Sequence, residues 1–383
     1  MKYDIVALII SALVLSGCVY PFDMNTDSEG EAGGLVVEGD LLIGDVSKIT
    51  LSTVQQLNGK SLPIQFHASI WAEDDQGCEY YASAKEPGGS YSLDLTNASI
   101  DRRYRMHIHM DRVLAGHSSD YSTPWLTVSK APSFDGIDYT TDEDNLYLRI
   151  SLSDPDGSGC FRWDYVENWE YHAPQHAAYG YDPQSDSVYK FEGIYSPLYW
   201  CWNSDHSTQA GIAIAKSTGG ERIVDHKFLT IPRRNLKIQY LYNIQVRARG
   251  ISQECYDFLH AIQVNSTHTG SLFIPDPGQV VGNISSDTDP KEVVIGYIEA
   301  SQVVTKDFYV DGAHFKDNLV VWKTFYPVLD KDRTLKYYYN LGYLPYDSSD
   351  SGLTVQWVDS RCVDCTRWGG SKDKPAFWPN DHQ

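Results

Sequence analysis

The chain has 383 residues, with 31 Lys and Arg against 51 Asp and Glu and a formal net charge of −20. That length holds two domains with separate cores. The acidic balance disfavours a phosphate backbone, so no nucleic-acid partner is expected.

The first element is a signal peptide over residues 1–17. An uninterrupted run of apolar and small residues extends from Ile5 to Leu15. It suits the core of an export signal and is too short for a stable membrane-spanning helix. The segment before it is weakly basic, with Lys2 offset by Asp4. Leu15-Ser16-Gly17-Cys18 then matches a lipobox, in which two small residues admit the strand to a peptidase cleft. The Cys18 thiol is expected to take a diacylglycerol, and two acyl chains suffice for stable anchoring. Residues 18–34 are polar, acidic and Gly-rich, and read as a flexible tether between lipid and folded body. Val19 stands where an inner-membrane retention signal would place Asp, so the expected location is the outer membrane, facing the cell surface.

Residues 35–130 read as a first antiparallel sandwich. Leu35 to Leu42 and Ile49 to Ser52 are β-rich, and Ile64, Phe66, Ala68, Ile70 and Ala72 alternate onto one face. Residues 103–110 alternate again, and Glu73 to Gly77 and Pro87 to Gly89 supply turns. A second sandwich is expected over residues 131–312. Its strands include residues 146–152, 161–165 and 240–249, the last with Tyr242, Ile244, Val246 and Ala248 on one face. A Tyr opening such a strand is placed like the tyrosine corner of immunoglobulin and fibronectin-like folds. Asp154-Pro155-Asp156-Gly157-Ser158-Gly159 resembles the start of a calcium loop but lacks the distal Glu, and is read as a hairpin turn. The fold class is therefore mainly β, two antiparallel sandwiches of immunoglobulin or fibronectin-like kind.

Within the second sandwich, residues 172–200 read as a long aromatic loop. Tyr179, Tyr181, Tyr195, Tyr199 and Trp200 are its candidate ligand contacts, since Tyr and Trp give large area at low entropy cost. One short helical insertion follows, with Ser252 as N-cap and Cys255, Phe258, Leu259 and Ile262 as a buried stripe. Residues 313–383 form a C-terminal extension carrying Cys362-Val363-Asp364-Cys365. Beyond Cys18 there are six cysteines, which allow 15 pairings in an oxidising compartment. Cys362 and Cys365 are a candidate disulfide in a structural loop. A redox role wants the motif at a strand-to-helix junction, and half of a zinc site would need scattered partners.

No catalytic residue, metal site or cofactor is assigned. His107 and His109 share a strand face without an identifiable third ligand. His172 and His176 are four apart with Pro174 between them, which disfavours a helix. Zincin, nucleophile-elbow, Walker and Rossmann patterns are absent.

Several segments in order resemble the Bacteroidota lipoprotein family catalogued as domain of unknown function 4249. They are the lipobox at Cys18, Leu35-Val36-Val37-Glu38-Gly39, Cys201-Trp202, Gly282-Asn283-Ile284 and Val294-Ile295-Gly296-Tyr297-Ile298. At the end stand Cys362-Val363-Asp364-Cys365, Gly369-Gly370 and Lys374-Pro375-Ala376-Phe377-Trp378. The resemblance covers nearly the whole mature chain. It implies an outer-membrane lipoprotein encoded near a TonB-dependent receptor, with no catalytic residues to carry over. The expected function is a non-enzymatic accessory of that receptor, capturing a peptide or glycan. A surface hydrolase with an unrecognised site, or an adhesin or structural surface protein, are the other classes.

Overall fold

The computed structural model describes residues 35–53, 67–85, 89–111, 118–154, 157–192, 196–215, 221–267, 282–313, 315, 333–348 and 354–379. The signal segment, the tether with Cys18, and Tyr195 lie outside the described residues. The protein is mainly β, with strands, almost all antiparallel, holding 54% of the described residues against 11% in helices. Among the described residues no helix is long and apolar enough to cross a membrane.

The first unit is built on one nine-stranded sheet. In spatial order it runs Leu35–Glu38, Val46–Thr53, Ser90–Asp94, Glu79–Lys85, Ala68–Asp74, Arg103–Asp111, Ser118–Ser122 and Ser285–Ser286, with Leu126–Thr127 beside Arg103–Asp111. The expected period of two places Ile70 and Ala72, and Tyr104, Met106 and Ile108, on the buried face. Their core includes Leu35, Val37, Ile49, Leu51 and Leu93 from the other half of the sheet, so both halves enclose one interior.

Residues 282–301 were expected in the second sandwich, within 131–312, but they complete the first. Ile284, Val294, Ile298 and Ala300 are buried in the first core. The reason is main-chain pairing. Val37 N–H donates to Ile295 O at 2.8 Å, Ile295 N–H donates to Leu35 O at 2.9 Å, and Leu41 pairs in parallel with Ala300. The Asn283 side chain substitutes for a strand partner, donating to Ile298 O and accepting from Ile298 N–H, each at 2.8 Å. A Cβ at Gly282 would run into the Gly296 carbonyl, and one at Gly296 into the Val37 carbonyl. Only glycine permits that close approach of three backbones.

The second unit is a sandwich. A three-stranded sheet (Ser133–Thr141, Asn145–Ser153, Arg222–Pro232) faces a five-stranded one (Trp200–His206, Cys160–His172, Leu241–Ile251, Val304–Asp311, with Gly211–Ile214 beside Cys160–His172). Leu146, Leu148, Ile150 and Leu152 of the first sheet share a core with Phe161, Trp163, Ile244 and Val246 of the second. The strands before and after Asp154–Gly159 belong to different sheets, so that turn is a crossover between layers and not a hairpin. Tyr242 is buried, but its hydroxyl donates to Glu167 Oε1 at 2.9 Å on the neighbouring strand. A tyrosine corner bonds the backbone just upstream, so the resemblance at this position is one of placement only.

The expected helix runs Gln253–Thr267, and Ser252 caps it by accepting from Cys255 N–H at 3.1 Å. Cys255 and Phe258 are buried, whereas Ile262 is 39% exposed and outside the stripe. The aromatic loop is not structureless. It contains the hairpin Tyr179–Asp182 and Ser187–Lys190. Asp182 stabilises the turn by accepting from Gln184 N–H at 2.9 Å and Ser185 Oγ at 2.6 Å, and Asp186 adopts φ +49°.

Candidate functional site

The C-terminal extension folds back on the aromatic segment. Cys365 is disulfide-bonded to Cys201, 164 residues away, and Cys362 is not part of that bridge. The candidate Cys362–Cys365 pairing is thereby corrected. Successive 3₁₀ turns, Ser360–Cys362 and Cys365–Trp368, send the two side chains into different cores. Around the bridge, Cys365 N–H donates to Leu198 O at 2.9 Å and Tyr171 Oη to Cys365 O at 2.9 Å. Trp202 and Ser371 exchange two main-chain bonds of 2.8 Å. Trp378 Nε1 donates to buried Glu170 Oε2 at 2.6 Å.

This docking creates a cleft of about 300 Å³. One wall is the hairpin, with Tyr179, Gly180, Tyr181 and Tyr189, continued by Phe191; residues 196–198 form part of its lining. The opposite wall comes from Tyr339, Leu344, Pro345, Val363 and Asp364, with Arg367 and Lys372 also lining it. Tyr181 is buried and fixed, its hydroxyl donating to Asp186 at 2.7 Å and its ring packed on Tyr339 and edge-on to Trp357. Tyr189 is 49% exposed, edge-on to Phe191 at 5.5 Å, and its ring occupies the space a side chain at residue 180 would need. Gln175 N–H donates to Cys362 O at 2.8 Å and Ala178 N–H to Tyr346 O at 2.7 Å, which holds the walls together.

Of the five expected contacts, Tyr179 and Tyr181 line the cleft, and Tyr195 lies outside the described residues. Tyr199 and Trp200 pack elsewhere. The Tyr199 ring stacks on His172 at 4.5 Å, with Trp200 edge-on at 5.1 Å and Tyr240 at 4.2 Å from the same imidazole. Burial in this ring cluster lowers the His172 pKa, opposed by its bond to Ala173 O. Tyr339, Arg367 and Lys372 were not singled out, because nothing local in the sequence joins residues 339–372 to residues 179–198. The unused signal was the run Tyr337-Tyr338-Tyr339 inside an extension otherwise read only for its cysteines.

The two strand histidines face separate carboxylates. His107 Nε2 lies 3.2 Å from Glu73 and His109 Nδ1 2.6 Å from Asp120, a bond that raises the His109 pKa.

A second hollow of about 350 Å³ is lined by Trp125, Ser252, Glu254, Asn283, Tyr297 and Glu299. Glu299 is buried and ties the units together, accepting from Ser252 Oγ at 2.8 Å and from Ser129 Oγ at 3.4 Å. Burial pushes its carboxyl above the ordinary range; the Ser252 bond opposes this and nearby Asp40 adds to it. The folded state therefore holds this proton more tightly than the unfolded chain. Its stabilising contribution is full below the usual carboxyl value of 4.5 and is lost as pH rises through the raised folded value. Glu299→Gln, neutral throughout, is expected to flatten the fall of Tm as pH rises above the usual carboxyl value. Differential scanning fluorimetry across that range measures it; an unchanged slope would refute this assignment.

A family model described as a domain of unknown function (DUF4249) matches residues 19–307. No curated protein matches the chain. The hairpin wall of the cleft lies inside the matched stretch and the wall from residues 339–372 lies outside it.

Proposed function

Because the chain belongs to the DUF4249 family over most of its length, we propose that it is a surface-exposed outer-membrane lipoprotein serving a TonB-dependent receptor. It is anchored through a lipid on Cys18 and captures a nutrient ligand without chemically altering it. The observation that carries the capture reading is the cleft. Its walls are tyrosines, a phenylalanine and prolines, held by a hairpin on one side and a disulfide-bonded extension on the other. Rigid rings around a small concavity are the ordinary composition of a ligand site. The anchoring reading is supported by the lipobox and by the acidic, Gly-rich residues between Cys18 and the first strand.

The test is recovery of the tagged protein from gently solubilised outer membranes, with mass spectrometry of what accompanies it. A near-stoichiometric TonB-dependent receptor is expected. Cys18→Ala is expected to remove acylation and to abolish that co-purification from the membrane fraction. Recovery of the protein alone, from cells expressing the candidate receptor, would sink the accessory role. Acylation of the Cys18→Ala protein would sink the anchor assignment.

A further inference from the structure

The cleft is unusually rich in hydrogen-bond donors without partners. Among the described residues, the hydroxyls of Tyr179, Tyr189 and Tyr339 make no hydrogen bond to the protein. Lys372 is exposed at the cleft and makes no ion pair there. Among the described residues the ion pair of Arg367 is through Nε, 3.3 Å from Asp364 Oδ2, with Asp359 also within reach of its charge, and its terminal fork makes no hydrogen bond. The single carboxylate in the lining, Asp364, is already committed. Its Oδ1 accepts from Thr366 N–H at 3.0 Å and Thr366 Oγ1 at 2.6 Å, and its Oδ2 faces Arg367.

Two cations and three phenols against one occupied acid make this a locally positive, donor-rich place on a chain of net charge −20. The complement of such a lining is an acceptor-only, negatively charged group on an apolar body. A neutral sugar brings hydroxyl donors of its own and no negative charge, and so leaves both cations uncompensated. The volume of about 300 Å³ is at the small end for ligand sites, which suits the end of a short chain better than the middle of a polymer.

We propose that the cleft between the Tyr179–Lys190 hairpin and the C-terminal extension binds short apolar peptides through a carboxylate. Lys372 and the Arg367 fork face that carboxylate, and Tyr189, Phe191 and Tyr339 enclose the apolar side chains. The assignment rests on the capture reading and narrows its ligand from peptide or glycan to peptide. It does not depend on the receptor, so a failed receptor pull-down leaves it standing.

Isothermal titration of the full chain tests it, with tripeptide pools built from Leu, Phe and Val. One pool carries a free C-terminal carboxylate, one is amidated, and one is amidated but contains Asp or Glu. Neutral gluco-oligosaccharides form the fourth arm. Binding of a carboxylate-bearing pool, about tenfold or more tighter than the neutral amidated pool, is expected. The free-acid and internal-acid pools distinguish a chain terminus from a side chain as the source. Lys372→Gln is expected to weaken that binding about tenfold and to reduce its salt dependence. Tyr189→Phe, which keeps the ring, is expected to weaken it a few-fold. Equal binding of the amidated neutral pool, binding of oligosaccharides alone, undiminished binding by Lys372→Gln, or no binding in any arm would each overturn the proposal.

Discussion

Asp40→Ala is expected to destabilise the protein by about 3–5 kcal/mol, the range for removing one partner of a buried ion pair. Asp40 follows the first strand of the first unit, yet its partners belong to the second. Its Oδ2 accepts from Arg162 Nη1 at 2.8 Å and from Arg249 Nη2 at 3.0 Å. The side chains of Asp40 and Arg249 are 4% and 5% exposed. Burial alone would draw the Arg249 proton affinity down, but Asp40, with Asp164 beside it at 3.0 Å, raises it instead. Without Asp40, two guanidiniums remain at the junction with only Asp164 to compensate them.

The cost of breaking this network is a poor measure of what the intact network contributes. Asp40 Oδ1 and the Nε atoms of Arg162 and Arg249 make no hydrogen bond among the described residues. The desolvation of these groups is therefore only partly offset, and the pairs fix the docking of the two units more than they stabilise it. Two results follow. Asp40→Ala should lower Tm by roughly 10 °C, from about 2–4 °C per kcal/mol in domains of this size. The triple replacement of Asp40, Arg162 and Arg249 by apolar residues should restore much of that loss. Thermal and urea unfolding of both variants checks this. An Asp40→Ala protein melting within about 2 °C of the parent would show that water reaches the junction and screens it.

What the sequence made legible was whatever repeats along a strand. Ile70, Ala72, Met106 and Ile108, and then Ile244 and Val246, sit on buried faces because side-chain direction alternates with period two. The β-rich runs, the helix and its cap were readable on the same local grounds. What escaped was everything decided by partners distant in sequence. Nothing in the pattern of residues 282–301 says that Leu35–Glu38 is their neighbour, so they were placed in the wrong unit. Cys365 had a cysteine three residues away and another 164 away, and spacing favoured the near one. Tyr199 and Trp200 show the same limit. Their composition matched a contact surface, while they pack half-buried in a ring cluster with His172 and Tyr240. Tyr179 and Tyr181 were singled out on composition, while the hairpin that carries them was read as loop; the wall from residues 339–372 was not read as one, because the disulfide that brings it there spans the interval.

That disulfide carries the second large effect. Cys201→Ser is expected to destabilise the protein by about 2–5 kcal/mol, since closing so long a loop restricts the unfolded chain strongly. The loss should be local before it is global. The strand Trp200–His206 remains paired with Cys160–His172, and the sandwich core loses only one buried side chain. Residues 354–379 instead depend on the bridge and on hydrogen bonds such as the Trp202–Ser371 pair, Tyr171 to Cys365 O and Trp378 to Glu170, and they lose the covalent tie. Hydrogen exchange should therefore accelerate first at residues 354–379, with the Leu241–Ile251 strand still protected. The same variant removes a wall of the cleft, so peptide affinity should fall together with that protection. Uniform acceleration over both segments would mean that the extension and the sandwich unfold as one unit, and the cleft would then be as rigid as the core. Unchanged exchange at residues 354–379 would mean that the non-covalent contacts suffice, leaving the bridge to act on the unfolded chain alone.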